Sequence, residues 1–295
     1  MHILSKDIGQ VHISHELVKQ KIPILSDRAS ENNRQVLMTI ALKGPLLKYD
    51  VRSEIGGEYS TISRRIDDLL KKGYLVEAGT RITQRGVPET QYGLTWIGLV
   101  ASLAIDEVMK NALEVVQKNL TSLNTKNLQD TGFNFEKIYA LVREFFESIL
   151  TTQQIEAFTK ALFKGYLNSP VPSLDHLAGA EGSLSIENLS WVMIVLQSSL
   201  SEISNLPDGQ PIPVMDIIGL LDNPEILSLT QSLLLQASER FKEGLENQYR
   251  LLVHIPGEIG TILQGLSPED KPSQKVKEFL ENELSRPSFS LEVKE

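Results

Sequence analysis

Residues 59–95 read YSTISRRIDDLLKKGYLVEAGTRITQRGVPETQYGLT. The spacing predicts a helix from near Ser60 to Lys72, with Gly73 as its C-terminal stop. On a wheel of about 100° per residue, Ile62, Ile66, Leu69 and Leu70 share one arc, the face toward a core. Ser60, Thr61, Arg64, Asp68 and Lys71 lie opposite, with Ser63, Arg65 and Asp67 on the flanks. Beyond Gly73, Tyr74–Glu77 reads as a short strand closed by a turn at Gly79-Thr80. Arg81–Gln84 and Thr90–Leu94 read as two further strands. They are joined by Arg85-Gly86-Val87-Pro88-Glu89, in which Gly86 and Pro88 are turn residues.

Two helices are expected upstream. Val36, Leu37, Ile40 and Ala41 form an apolar stripe ended by Gly44-Pro45, and a short helix over about Lys48–Ile55 ends at Gly56-Gly57. Residues 1–30 pattern weakly, with Ile13, Leu17 and Val18 sufficient for one turn before Pro23, and read as a mobile or packing arm.

The third helix and the hairpin carry the chemistry. Hydroxyls and a helix N-terminus can hold a phosphate, and an arginine one turn on can fork onto a guanine edge. Arg81 and Arg85 sit on the strand and at the loop tip, where a duplex backbone is within reach. The competing reading is a solvated face with Arg64 and Asp68 paired at i,i+4. Charge distribution bears on the choice. The chain has a net charge of −9, yet residues 1–95 hold 14 Lys and Arg against 11 Asp and Glu, a net +3. The remaining 200 residues hold 15 against 27, a net −12. Attraction to nucleic acid therefore rests on local clustering, with the acidic remainder turned away.

The string STISRRIDDLLKKGYL, then R-x-T-x-R-G, then Y-G-L-T-x-x-G, resembles the winged helix-turn-helix domains of MarR- and PadR-like regulators, closest to the archaeal single-wing versions, over about residues 32–103. The resemblance implies that Ser60, Thr61, Arg64 and Arg65 face the groove, that Arg81 and Arg85 are wing contacts, and that Lys48 and Tyr49 touch the DNA backbone. It also implies double-stranded DNA as partner, a homodimer, and a helix leaving the wing over residues 96–120 that connects and dimerises. This sequence departs from the pattern at Asp67 and Asp68, on or beside the reading face, and at Glu89 in the wing.

From Trp96 onward the periodicity is helical. Trp96–Leu120 is amphipathic, Thr121–Gly132 reads as a linker, and Phe133–Leu150 and Thr152–Leu167 read as two helices. Asn168–Ser183 is expected to be loop with one helical turn, and Ser185–Ile203 to be helical. Asn223-Pro224-Glu225 is a helix start, with an N-cap, a proline at the first position and an acid in the first turn. That helix is expected to reach about Val253, with Gly244 able to bend it. Helices near Glu258–Gln264 and Gln274–Leu284 follow.

The expected fold is mainly α. Residues 1–30 form an arm, 31–95 the winged helix-turn-helix with a small hairpin wing, 96–120 a connecting helix, and 121–295 an all-helical regulatory or oligomerisation domain. No cysteine is present, which excludes disulfides, thiol catalysis and Cys-ligated zinc. No HExxH, GxSxG or P-loop spacing occurs, so neither an enzyme nor a cofactor is expected. Asp175-His176 reads as isolated surface residues rather than a metal or catalytic pair. Phe145, Phe146, Phe158, Phe163, Tyr166 and Trp191 read as core before they read as a pocket. The N-terminus lacks a signal-peptide pattern and no apolar run is long enough for a bilayer, so a cytoplasmic protein without membrane contact is expected. Two functions of different class fit these features. One is a DNA-binding transcriptional regulator whose helical domain dimerises or senses a small-molecule or protein effector. The other is a protein–protein adaptor using the same module.

Overall fold

The computed structural model describes residues 15–26, 30–83, 85–123, 134–177, 195, 198–199, 218–231, 234 and 250–284. The chain is mainly helical with one small antiparallel sheet. It divides into a larger unit, residues 1–143 and 150–212, and a smaller one, residues 144–149 and 213–295.

In the larger unit, α1 (His15–Lys21) leads through a short 3-10 turn at Pro23–Leu25. Ile22 and Ile24 are buried against the core, so this part of the arm is packed. The rest of the arm, residues 1–14 and 27–29, lies outside the described residues. Helix α2 (Ser30–Lys43) buries Val36, Leu37, Ile40 and Ala41, as the stripe predicts. Gly44 ends it at φ 87°, its N–H donating to the Ile40 carbonyl at 2.8 Å. The next carbonyls of α2 have no partner within their own helix. Asn119 Nδ2 donates to the Ala41 carbonyl at 3.0 Å and Lys118 Nζ to that of Leu42 at 2.9 Å.

Strand β1 (Leu46–Leu47) runs directly into α3 (Lys48–Ile55), and α4 (Tyr59–Lys71) follows. Helix α4 ends in a Schellman motif. Gly73, at φ 76°, donates to Leu70 at 3.0 Å, and Tyr74 donates to Leu69 at 2.9 Å. Ile62, Ile66 and Leu69 are buried, and Leu70 is half-buried. Strands β2 (Leu75–Ile82) and β3 (Pro88–Leu94) form the hairpin, and the sheet order is β1-β3-β2. Register runs from Leu75 opposite Leu94 to Ile82 opposite Pro88.

The turn expected at Gly79-Thr80 is absent. Those residues continue one strand through a bulge, with Glu77 opposite Tyr92 and Gly79 opposite Gln91. Gly79, at φ 134°, accommodates the extra residue without breaking the ladder. The tip of the hairpin is closed by the Thr83 N–H donating to Val87 O at 2.9 Å and the Gly86 N–H to Thr83 O at 2.9 Å. Gln84 is outside the described residues.

The single connecting helix expected over residues 96–120 is also corrected. The chain there forms α5 (Trp96–Ser102), α6 (Asp106–Lys110), α7 (Ala112–Lys118) and α8 (Leu120–Leu123). Ile105 is extended, and Asn111 and Asn119 end α6 and α7. The apolar face that a long helix would have carried outward is folded inward: Leu99, Ile105, Val108, Met109 and Val115 join the core that holds α2. Trp96 Nε1 donates to the Leu123 carbonyl at 2.9 Å, holding the two ends of the stretch together.

Helix α9 (Phe135–Ile149) follows, and α10 (Thr152–Asn168) opens with a capping box between Thr151 and Gln154. Phe163, Tyr166 and Leu167 are core residues. The expected single turn in the next loop is α11 (Leu174–Leu177). Residues 124–133, most of the expected linker, lie outside the described residues. So do Trp191 and nearly all of the helix expected over 185–203.

In the smaller unit, α12 is helical over 224–231. Asn223 Oδ1 accepts from the Glu225 N–H at 3.0 Å, the predicted cap. The continuation expected through Gly244 to Val253 falls largely outside the described residues. Helix α13 (Arg250–Gln264) starts earlier than the segment expected at Glu258, and α14 is Pro272–Leu284. Asp222 caps α14, its carboxylate accepting from the Ser273 N–H at 3.0 Å and hydroxyl at 2.7 Å. Among the described residues no helix is long and apolar enough to cross a membrane.

Candidate nucleic-acid interface

The apolar arc of α4 is spent on the core, so its opposite side faces solvent. Ser60 and Arg64 are exposed there and Thr61 is half-buried. At the hairpin tip Arg85 is exposed. Among the described residues neither Arg64 nor Arg85 has an ion-pair partner. Tyr49, in the first turn of α3, is also exposed.

The other three cations expected to contact DNA are committed. Lys48 Nζ bridges Ser63 Oγ at 3.2 Å and the Asp67 carboxylate, and lies 5.4 Å from the centroid of the Tyr92 ring. Only 18% of its side chain is accessible. Arg65 Nη1 pairs with Asp68 Oδ2 at 3.0 Å, with 19% of its side chain accessible and its Nε buried without a partner. Arg81, on β2, pairs with Asp50 on α3. The i,i+4 pair of the competing reading, Arg64 with Asp68, does not form; Arg65 takes that carboxylate at i,i+3.

These contacts tie the elements to one another. Lys48 joins the start of α3 to the middle of α4, and Arg81 joins the hairpin to α3. Arg52 Nε donates to the Gly57 carbonyl at 3.2 Å, closing the turn between α3 and α4. The three acids Asp50, Asp67 and Asp68 each neutralise one of the expected contact cations; Arg64 and Arg85, with Lys71 further along α4, keep their charge exposed.

Three apolar or aromatic residues of this surface escape the sequence reading. Tyr59 opens α4 half-exposed, and Ile82 and Val87 flank the hairpin tip at 73% and 53% accessibility. Spacing alone does not single out Tyr59, three residues before buried Ile62. The hairpin pair had a signal: Ile82 ends β2 and Val87 stands between the turn residues Gly86 and Pro88, at the far end of a three-stranded sheet.

Away from this face, Asp175 and His176 turn to different partners. Asp175 accepts from the Tyr74 phenol, and His176 Nδ1 meets Ser173 Oγ at 2.8 Å. Burial, the hydrogen bond to Asp175 and its negative charge all push the Tyr74 phenol up from its ordinary value. The Tyr166 phenol is raised mainly by burial. Among the described residues no group of three His, Asp or Glu side chains gathers to hold a metal ion. No protein-family model, curated protein or solved structure matches the chain.

Proposed function

We propose that residues 31–95 are a winged helix-turn-helix of the MarR/PadR-like kind and that the protein is a DNA-binding transcriptional regulator. Helix α4 enters the major groove and the β2–β3 hairpin lies on the backbone or in the minor groove. The observation that carries this reading is a paired one. The element order helix–strand–helix–helix–hairpin, with sheet order β1-β3-β2, leaves the Ser60/Arg64 face of α4 open, and Arg85 is exposed at the hairpin tip. An exposed arginine with a hydroxyl one turn earlier suits bidentate contact to guanine beside a phosphate contact. Tyr49 supplies a further backbone contact. The helical remainder, acidic and therefore repelled by DNA, serves dimerisation, effector sensing or both. A dimer doubles the footprint of a small module.

A second reading is favoured by a specific observation. Ile82 and Val87 are exposed apolar residues at the hairpin tip, and three of the nearby cations are neutralised. A protein–protein adaptor would present such a surface.

Recovery of bound genomic DNA from the purified full chain, followed by salt titration on the enriched duplex, separates the two. DNA binding that weakens as salt rises and is lost in Arg64→Ala/Arg85→Ala supports the regulator. Unchanged affinity in that double variant overturns the assignment.

A further inference from the structure

We infer that Asp50, Asp67 and Asp68 are specificity-determining residues: they occupy Arg81, Lys48 and Arg65 in place of phosphate, so that duplex affinity depends on sequence contacts more than on charge. The inference rests on the DNA reading proposed above and concerns the same face.

The geometry is consistent across three separate pairs. Each acid comes from α3 or α4, and each cation stands at a position where a duplex contact is expected: backbone for Lys48, groove for Arg65 and wing for Arg81. Lys48 opens α3, Arg65 flanks the exposed side of α4, and Arg81 lies on the hairpin. Lys48 is held in three ways: by Asp67, by Ser63 at 3.2 Å and by the Tyr92 ring at 5.4 Å. A phosphate approaching any of these cations meets its carboxylate partner as well. Either the ion pair opens, or two anions share one cation.

Counterion release then counts only the cations free to meet phosphate. Of the expected contact cations, Arg64 and Arg85 remain, one on the helix and one at the tip. A mixed-sequence duplex offers these two little beyond backbone. A matched duplex adds base-edge contacts from Arg64 and Ser60, and these are not opposed by the acids. Neutralising the acids therefore raises binding to the wrong sequence more than to the right one.

The test uses the full chain and two probes, a mixed-sequence duplex and a duplex enriched from fragmented genomic DNA, each titrated over a range of salt. In Asp50→Asn/Asp67→Asn/Asp68→Asn, affinity for the mixed-sequence duplex should rise on the order of tenfold at low salt, and the logarithmic salt slope should steepen by about 0.9 for each cation released. Affinity for the enriched duplex should rise less, so the ratio between the two probes falls. Binding of the mixed duplex by the triple variant alone also supports the inference. If the wild type binds the enriched duplex and the variant keeps its slope and ratio, the acids are only structural and the inference falls while the DNA reading stands. If neither protein binds any duplex, both fall. Should the triple variant not fold, Asp67→Asn, which removes the charge facing Lys48, gives the same comparison with a slope change of about 0.9.

Discussion

Arg65 reaches across one turn of α4 to Asp68, Nη1 to Oδ2 3.0 Å, with most of its side chain covered. Its neighbour Arg64 points to solvent with no ion pair among the described residues. Adjacent arginines on one helix therefore have opposite duties. Arg65→Ala loses the packing of an aliphatic stem and leaves Asp68 without its partner, and should cost about 1 kcal/mol by urea denaturation. Arg64→Ala should stay within about 0.5 kcal/mol of the wild type in the same measurement. In DNA binding the order reverses: Arg64→Ala should lose about 1–3 kcal/mol on an enriched duplex if it forks onto guanine.

Gly44 combines a left-handed backbone with a tight contact. At φ 87° a side chain is strained, and a Cβ there would stand 2.7 Å from the Lys118 carbonyl oxygen. Gly44→Ala should therefore destabilise the protein by about 1–3 kcal/mol. Asn119 tests the same junction from the other side. It is fully buried, and its amide satisfies both Ala41 and Val115. Asn119→Leu should cost about 1–3 kcal/mol because the α2 carbonyl loses its only donor from outside the helix among the described residues. Thermal melting of both variants checks this, and a melting point equal to that of the wild type refutes it.

The stops at Gly44, Gly56 and Gly73 were legible because helix termination is local chemistry: a residue without a Cβ, free to take a positive φ, is written at one position. Three other features were not, and each depends on a distant partner. Gly79 suits a turn and a bulge equally, and pairing with Gln91 on the opposite strand decides between them. The stripe from Trp96 to Leu120 suits one long helix. It breaks because Asn119 finds the Ala41 carbonyl and the apolar residues find α2, contacts of long sequence separation. Of the proposed site, the exposure of Ser60, Arg64 and Arg85 followed from helix period and turn chemistry. The capture of Lys48 and Arg81 by carboxylates depended on how α3, α4 and the hairpin meet, whereas Arg65 is taken by Asp68 within its own helix.

In the smaller unit Asp222 serves as a cap supplied from outside the helix it caps. Its two oxygens take the backbone and side-chain donors of Ser273, in the first turn of α14. Asp222→Ala should cost about 1 kcal/mol and Asp222→Asn less, since the amide oxygen still accepts one bond. Hydrogen exchange of the amides in Pro272–Leu284 reads this directly: faster exchange in the alanine variant is expected, and unchanged protection would refute the cap.

Tyr74 donates to Asp175, 101 residues later in the chain, and so clasps the end of α4 to α11. Its phenol is fully buried and held well above the ordinary tyrosine range. An unfolded chain releases that proton at about pH 10, whereas the folded chain keeps it. Between those two values the unfolded state binds fewer protons, so stability falls as pH rises. The contribution is complete below about pH 10 and is lost progressively above it. Melting curves from neutral pH upward should show the wild type losing stability on the alkaline side. Tyr74→Phe starts lower, because Asp175 loses its donor, and then declines less steeply. A parallel decline in the two proteins would place the alkaline sensitivity elsewhere, with Tyr166, whose phenol is also raised by burial, as the next residue to replace.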